Sequence, residues 1–466
     1  MSTRPLLRSF GLLATALTAA CAPAGSAPSA GDPPSADAVA FVGVNVVPMD
    51  RERVLEGQTV VVQDGRIAAI GDSADTPVPQ GAQWIAGNGG YLMPGLTEMH
   101  AHIPSPGSER EWGEGYVERV LFLYLANGVT TVRGMLGDPS HLALRERAAR
   151  GELLSPRIIT SGPSFNGNSV RSPADARRMV LEQKAAGYDF LKLHPGLSRA
   201  AFDTIDAVAD REGIRYAGHV SDDVGLAWAL EAGQATVDHL DGYVQALVPG
   251  ATGDPGLFGF NLIDRADPSR VPALARRTRE AGVWNVPTET LLENLAGPEP
   301  AEALAARPEM RYMPARMVAQ WSEAKRGFRA DPNFSAERAA RFLNLRHQLI
   351  RSLQEAGAGL LLGSDAPQIF NVPGFAAHRE LEVLVEAGLT PFQALATGTR
   401  NPAVFFGEAS EWGTVEAGKR ADLVLLERNP LEDVSATSSR RGVMVRGRWL
   451  PEEELQRRLE AFAAVR

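Results

Sequence analysis

Residues 92–103, LMPGLTEMHAHI, hold the key to the chain: an apolar run, a Pro-Gly break, a second run, then His100 and His102. In an extended strand, residues two apart project to the same side. One strand therefore offers two imidazoles to a single ion. Seven further short apolar stretches follow: GVTTVRGM (128–135), RIITSG (157–162), FLKLH (190–194), YAGHV (216–220), ATVDHL (235–240), VWNVPTE (283–289) and AGLLLGSDA (358–366). Four of them end on side chains able to bind metal, namely Lys192, His219, His239 and Asp365. Between the runs lie helical patterns such as ADARRMVLEQKAAG (174–187) and VGLAWALEAG (224–233). Alternating strands and helices predict parallel βα units, and eight of them predict an α/β fold, the (β/α)8 TIM barrel. In that architecture the strand ends gather their side chains at one mouth.

His219 and His239 are one βα unit apart and are expected on adjacent strands. An aspartate closing the run LLLGSD is costly to bury unless it binds metal or accepts hydrogen bonds; the plainer alternative for Asp365 is a helix N-cap. Imidazole and carboxylate suit zinc, with manganese, nickel and iron(II) as alternatives. Lys192 shares a strand face with Phe190 and His194. A buried lysine tends to lose its proton, and a neutral amine can add carbon dioxide to become an anionic carbamate able to bridge two ions. The alternative is an unmodified lysine beside one metal.

Short β patterns occupy 39–91, with FVGVNVVPM, QTVVVQDGRIAAIG and QWIAG. They return only in GTVEAGKRADLVLLERNP (413–430) and GVMVRGRWL (442–450). Both ends together are expected to build one small β-sandwich, 39–91 with 409–450, flanking a barrel over 92–408. Residues from about 290 to 355 exceed a simple βα connection and predict helices over the mouth. A terminal amphipathic helix is expected over 451–466.

The 466 residues are 44% hydrophobic and 22% charged, ordinary for a large globular core. A net charge of −9 argues against nucleic acid as a partner. Arg4 and Arg8 precede an apolar, small-residue run that reaches the single cysteine, Cys21, through Leu17-Thr18-Ala19-Ala20. This is the layout of an export signal over 1–21, and it resembles a bacterial lipoprotein cleavage box, although leucine stands four places before the cysteine. Residues 22–38 are Pro/Ala/Ser/Gly-rich and read as a flexible tether. The expected location is the cell envelope or periplasm, with the membrane met only through a lipid on Cys21. Homo-oligomerisation is left open.

The motifs MPGLTEMHAH, GVTTVRG, LKLH, GHV, DHLDG, GSDA, LTPFQALATGTRNPAVFFG and GKRADLVLLERNPLED resemble those of the amidohydrolase superfamily, near its imidazolonepropionase-like and prolidase-like branch. The resemblance runs from about Phe41 to Leu450. It implies His100, His102, Lys192, His219, His239 and Asp365 as ligands, two divalent ions (zinc first), and Asp365 as proton relay. One departure is Gly134, where relatives often carry aspartate.

Expected substrate contacts are Tyr243 on the loop after strand six, His194, Arg133 and His378 near the mouth. Each has a plainer alternative in packing. His141 is expected with Arg133 near the end and following loop of strand two, with ordinary surface charge as its alternative, and His347 is expected to be structural. The expected reaction is hydrolysis of an amide-type C–N bond in a peptide or N-acyl amino acid, with His219 or Tyr243 polarising the carbonyl. Rival readings are a cyclic amide or lactone hydrolase and a non-catalytic binding protein, though a decayed enzyme would have lost a ligand. Replacing Cys21 with serine is expected to release the protein from the membrane fraction and leave catalysis unchanged, as fractionation and mass analysis of the mature N-terminus would read.

Overall fold

The computed structural model describes residues 38–463; the proposed signal, Cys21 and most of the tether lie outside them. Eight strands form the accessory sheet. Five come from the N-terminal side: β1 (Val39–Val46), β2 (Leu55–Gln63), β3 (Arg66–Asp72), β4 (Gln83–Ala86) and β5 (Tyr91–Pro94). Seven strands of the barrel follow: β6 (Leu96–Ala101), β7 (Val129–Gly134), β8 (Arg157–Thr160), β9 (Leu191–Leu193), β10 (Tyr216–Gly218), β11 (Thr236–Asp238) and β12 (Trp284–Val286). Then β13 (Leu423–Leu426), β14 (Arg440–Val445) and β15 (Arg448–Pro451) return to the accessory sheet, whose order is β15-β14-β13-β5-β1-β2-β3, with β4 beside β1. A bridge from Arg66 to Arg420 curls this sheet back on itself. It thereby wraps an apolar core that includes Phe41, Val60, Leu92, Leu425 and Met444. The two ends of the chain therefore share one curled sheet.

LMPGLTEMHAHI divides where a single strand was expected. Tyr91–Pro94 pairs with β13 in the accessory sheet, whereas Leu96–Ala101 pairs with β7 in the barrel. Gly95 is the changeover, and a Cβ there would collide with the side chain of Thr130. The barrel strands pair in parallel as β6-β7-β8 and β9-β10-β11-β12. Parallel bridges Ser161–Phe190, Asn285–Leu360 and Ala101–Ala366 join these groups and close the ring. The eighth strand is the irregular segment 359–366, held by backbone bonds such as Leu361 N to Asn285 O and Met99 N to Leu362 O. β6, β7, β9, β10 and β11 are buried at every position, as strands covered on both faces must be.

Helices connect the strands with ordinary stop and start chemistry. Ser172 and Ser198 accept from Asp175 N and Ala201 N at the starts of helices Pro173–Ala186 and Arg199–Glu212, and left-handed Gly187 and Gly213 end them. The long segment after β12 is helical, as expected, but its last helix, Ala336–Ala356, precedes strand eight as an ordinary barrel helix. The added elements are therefore confined to helices Glu289–Ala296, Ala301–Ala305 and Ala315–Ala330 with their connections. Buried Lys325 fastens them by donating to the carbonyls of Asn294 (2.5 Å) and Gly297 (3.1 Å). The C-terminal helix runs over Glu452–Ala463.

Leu425, at 1% exposure in the curled sheet, supports the pairing of both chain ends. Leu425→Ala is expected to lower the unfolding free energy by about 2–5 kcal/mol, read from urea denaturation.

Candidate metal centre

His100 and His102 leave the end of β6 on the same side, and the backbone holds them there. The Glu98 carboxylate accepts from His100 N (3.0 Å), Ser364 N (2.8 Å) and Ser364 Oγ (2.7 Å). It thus ties β6, the first barrel strand, to the eighth immediately below the site. Burial pushes this carboxyl up to about 7 even against those three donors. His102 Nε2 lies 2.9 Å and His100 Nε2 3.4 Å from Asp365 Oδ1. One ligand atom from each of His100, His102 and Asp365 falls within 4.8 Å of the others.

The other side chains converge on these three. The imidazoles of His100 and His239 are 4.5 Å apart and those of His239 and His219 4.6 Å apart, centroid to centroid. His194 stacks on His219 at 5.0 Å. Lys192 Nζ lies 3.8 Å from Asp238 Oδ2, and that oxygen is 3.0 Å from His100 Nδ1. Asp365 and His239 both have left-handed φ, 60° and 61°, uncommon for residues with a Cβ. Strand alternation would send His239 away from the interior side taken by Thr236 and Asp238. The turn in its backbone is where that alternation breaks.

Second partners set the imidazole tautomers. Asp241 Oδ2 lies 2.7 Å from His219 Nδ1. Thr288 Oγ1 gives its proton to Pro287 O, so it accepts from His239 Nδ1 at 2.7 Å. In each ring the Nε2 lone pair is left for another partner, the usual arrangement for a metal-bound histidine. Burial first, then the neighbouring cationic and imidazole groups, hold His100 and His239 well below the ordinary histidine range. Both surroundings thus favour the neutral ring, the form that binds a cation.

Several buried polar atoms in this cluster have no protein hydrogen bond: Lys192 Nζ, Asp365 Oδ1, Asp238 Oδ2, His100 Nδ1 and His194 Nδ1. Unpaired polar groups in a dry interior are expensive. Nitrogen and oxygen donors that converge yet leave one another unsatisfied fit a divalent ion. Burial lowers the Lys192 amine, against the pull of Asp238 and Asp365, in the direction a carbamate requires.

The amidohydrolase family model matches residues 91–450. The chain belongs to the amidohydrolase family. It is 27% identical over 422 residues to an imidazolonepropionase of Cupriavidus necator, covering 85% of this chain and 91% of that one. Among solved structures, a bottromycin amidohydrolase superposes with TM-score 0.66 at 25% identity, covering 91% of each chain. A Xaa-Pro dipeptidase with methionine in its active site gives 0.65 at 19% identity, covering 89% of this chain and all of the other. Family and relatives together support a hydrolase acting on carbon–nitrogen bonds.

Three expected substrate contacts of this amidohydrolase are corrected. Tyr243 is fully buried, and its hydroxyl is occupied by Thr278 Oγ1 (2.9 Å) and Asn285 Oδ1 (2.7 Å). Arg133 lies inside the barrel beneath the site, donating to Met99 O (2.7 Å), near Asp238 (3.5 Å), and resting on Phe190 and Phe405. Its guanidinium supports Asp238 from below, away from the mouth. His378 turns from the mouth to the outer layer, where its Nδ1 meets Thr437 Oγ1 at 2.9 Å. His141 is buried rather than a surface charge, between Asp138 N and Pro104 O, each at 3.3 Å. His347 pairs with Glu293 at 3.3 Å.

Position 134 also finds an explanation, because a Cβ on Gly134 would already press on Ile103 Cδ1 at 3.0 Å. Residues not singled out from sequence include Asp238, Asp241, Thr288, Phe258 and Arg346. Phe258 stacks on His239 at 5.0 Å. Arg346 reaches from helix Ala336–Ala356 to the carbonyl of His239 (2.9 Å) and pairs with buried Glu289 (2.9 Å). Only Asp238 and Asp241 had a signal, since both stand in DHLDG beside a ligand candidate.

His378 predicts an acid-sensitive packing contact. Burial, then Arg440, hold its imidazole down to about 3 from 6.5, so the folded protein resists its protonation. Its stabilising contribution is complete above about 6.5 and is lost as pH falls toward 3. Urea midpoints from pH 7 to pH 4 are expected to fall less steeply in His378→Gln than in the parent protein.

Proposed function

We propose that this protein is a metal-dependent hydrolase of amide-type C–N bonds in a peptide or N-acyl amino acid. The observation that carries the reading is the convergence of His100, His102, Lys192, His219, His239 and Asp365 around polar atoms that satisfy no one else. These six side chains would hold the ion or ion pair. Lys192, as a carbamate, would add an anionic ligand for a pair of zinc ions, the favoured reading; as a plain amine it would stand beside one ion. When bound, divalent metal lowers the pKa of water toward neutrality and polarises a carbonyl oxygen.

The chain's own groups supply the rest. Gln368 Nε2 donates to Asp365 Oδ2 at 3.1 Å, which leaves Oδ1 as the basic atom. Asp365 Oδ1 takes the proton of the attacking water and returns it to the departing nitrogen. His219, fixed at Nδ1 by Asp241, presents Nε2 to the carbonyl or to the ion. His194 stacks on His219, and Phe258 stacks on both His239 and His219.

A cyclic amide is the second reading, favoured by the likeness to imidazolonepropionase. A non-catalytic binding protein is disfavoured because each of the six positions carries a competent side chain. For location, the proposal is an exported envelope protein held by a lipid on Cys21.

Chelator is expected to abolish hydrolysis, and zinc or manganese to restore it. Asp365→Asn keeps the shape but removes the base; it should retain metal at least in part and lose about 10²–10⁴ in turnover. Lys192→Ala should lose metal as well as activity, and bicarbonate should raise the metal content of the parent protein but not of the variant. A screen of dipeptides, N-acyl amino acids and imidazolones on metal-loaded protein separates the two readings. Full activity in Asp365→Asn would reject the mechanism.

A further inference from the structure

A second cavity, of about 200 Å³, lies at the opposite end of the barrel from the metal centre. Its lining includes Asp189, Arg215 and Ala235, which stand just before β9, β10 and β11. Phe190, Phe405 and Phe406 give it an apolar wall, yet two guanidiniums reach it, those of Arg133 and Arg215. Arg133 is 1% exposed. Its guanidinium carbon lies 5.4 Å from the centroid of the Phe190 ring and 5.6 Å from that of Phe405, so the head of the side chain, not only its stem, sits among the lining rings. The Arg215 guanidinium stands 4.6 Å from Phe405 and 5.6 Å from Phe406.

The donors of these two arginines are only partly used. Arg133 gives Nε to Met99 O and Nη2 to Thr236 Oγ1 and Asp238, and no acceptor among the described residues meets Nη1. Arg215 gives Nη1 to Phe405 O at 2.7 Å; Nε and Nη2 meet no acceptor among the described residues. The two carboxylates of the lining are already matched from outside it. Asp189 accepts from Arg145 and from Thr160 N, and Glu408 accepts from Arg420 and Trp412 Nε1. Burial lowers the Arg215 guanidinium with no carboxylate to offset it. Burial also lowers that of Arg133; Asp238 opposes the shift and the charge of Arg215 adds to it. The cavity therefore combines unspent cationic donors with aromatic walls.

We propose that this lower cavity is a binding site for a small carboxylate with an aromatic or branched apolar body, separate from the metal centre. An ionised carboxylate is an acceptor only, and its two oxygens take guanidinium N–H groups in the strong, charge-assisted geometry. Set between Arg133 and Arg215, it meets the free Nη1 of one and the free nitrogens of the other, while its body covers the three phenyl rings. An uncharged apolar guest would leave the buried nitrogen unpaired. Inorganic anions or water would satisfy the nitrogens but leave the rings wet, and a cation would be repelled. The occupant also has a path to the metal centre. It would hold Arg133 from below while Asp238 holds it at 3.5 Å from above, and Asp238 Oδ2 lies 3.0 Å from His100 Nδ1.

The test uses benzoate and benzamide, which share a shape and differ in charge. Metal-loaded protein is titrated with each by calorimetry in chloride-free buffer. Benzoate is expected to bind at least about tenfold more tightly than benzamide, equivalent to about 1.4 kcal/mol, and more tightly than acetate, which has no body to cover the rings. Arg215 is exposed, so Arg215→Gln is expected to fold; it should weaken benzoate about tenfold and leave benzamide unchanged. A carboxylate held by metal at the mouth would be indifferent to Arg215, so this variant separates the two ends of the barrel. Peptide mapping by mass spectrometry then locates the site without a substitution: benzoate, and not benzamide, should slow modification of Arg215 by phenylglyoxal. Equal binding of benzoate and benzamide, benzoate binding unchanged in Arg215→Gln, or no protection of Arg215 overturns the proposal. Each of these outcomes leaves the hydrolase reading standing, because none of them depends on turnover.

Discussion

A lysine amine with no exposure and no hydrogen-bond partner, set among three imidazoles and two carboxylates, cannot be left as it is. Water is excluded from it, and the nearest carboxylate oxygen lies 3.8 Å away. The interior of this barrel thus gathers nitrogen and oxygen donors that do not satisfy one another, with left-handed backbone at His239 and Asp365. Divalent metal is the occupant we propose, because its charge satisfies the acceptors and its coordination satisfies the nitrogen lone pairs.

The geometry is held by groups that stand one step further out. Glu98 ties the first barrel strand, β6, to the eighth, Asp241 and Thr288 select the tautomers of two histidines, and Arg133 backs Asp238. Arg346 is more unusual. It is fully buried, yet it spans from a helix of the outer layer to the carbonyl of a ligand candidate, with Glu289 neutralising its charge. Removing one partner of such a buried pair generally costs about 3–5 kcal/mol. The pair thus serves both to hold the outer helix and to fix the turn at His239.

Much of this was legible in the linear chain, for an identifiable reason. Five of the eight short apolar runs end on a side chain able to bind metal, so His100, His102, Lys192, His219, His239 and Asp365 could be read in order. The returning β pattern near Leu423 likewise announced a shared accessory sheet. Three-dimensional direction was not legible. Tyr243, Arg133 and His378 have the right side chains at the right sequence distance from the mouth, but packing turns them toward Asn285, Asp238 and Thr437. Nor does composition say that LMPG and LTEMHAH belong to different sheets. That division depends on Gly95 lying against Thr130, a contact between residues 35 positions apart.

The same junction bears on how the molecule comes into being. β5 runs directly into the strand that carries His100, yet its partner on one side is β13, more than 300 residues downstream. A ribosome emits the N-terminal end first. The opening strands of the accessory sheet must therefore wait, with a β5 edge unpaired, until nearly the whole polypeptide has emerged. Such distant closure is slow and leaves the nascent chain vulnerable to association in the interval. Assembly of the accessory sheet is thus a late event, and the last strands synthesised cover the edge adjoining the first barrel strand.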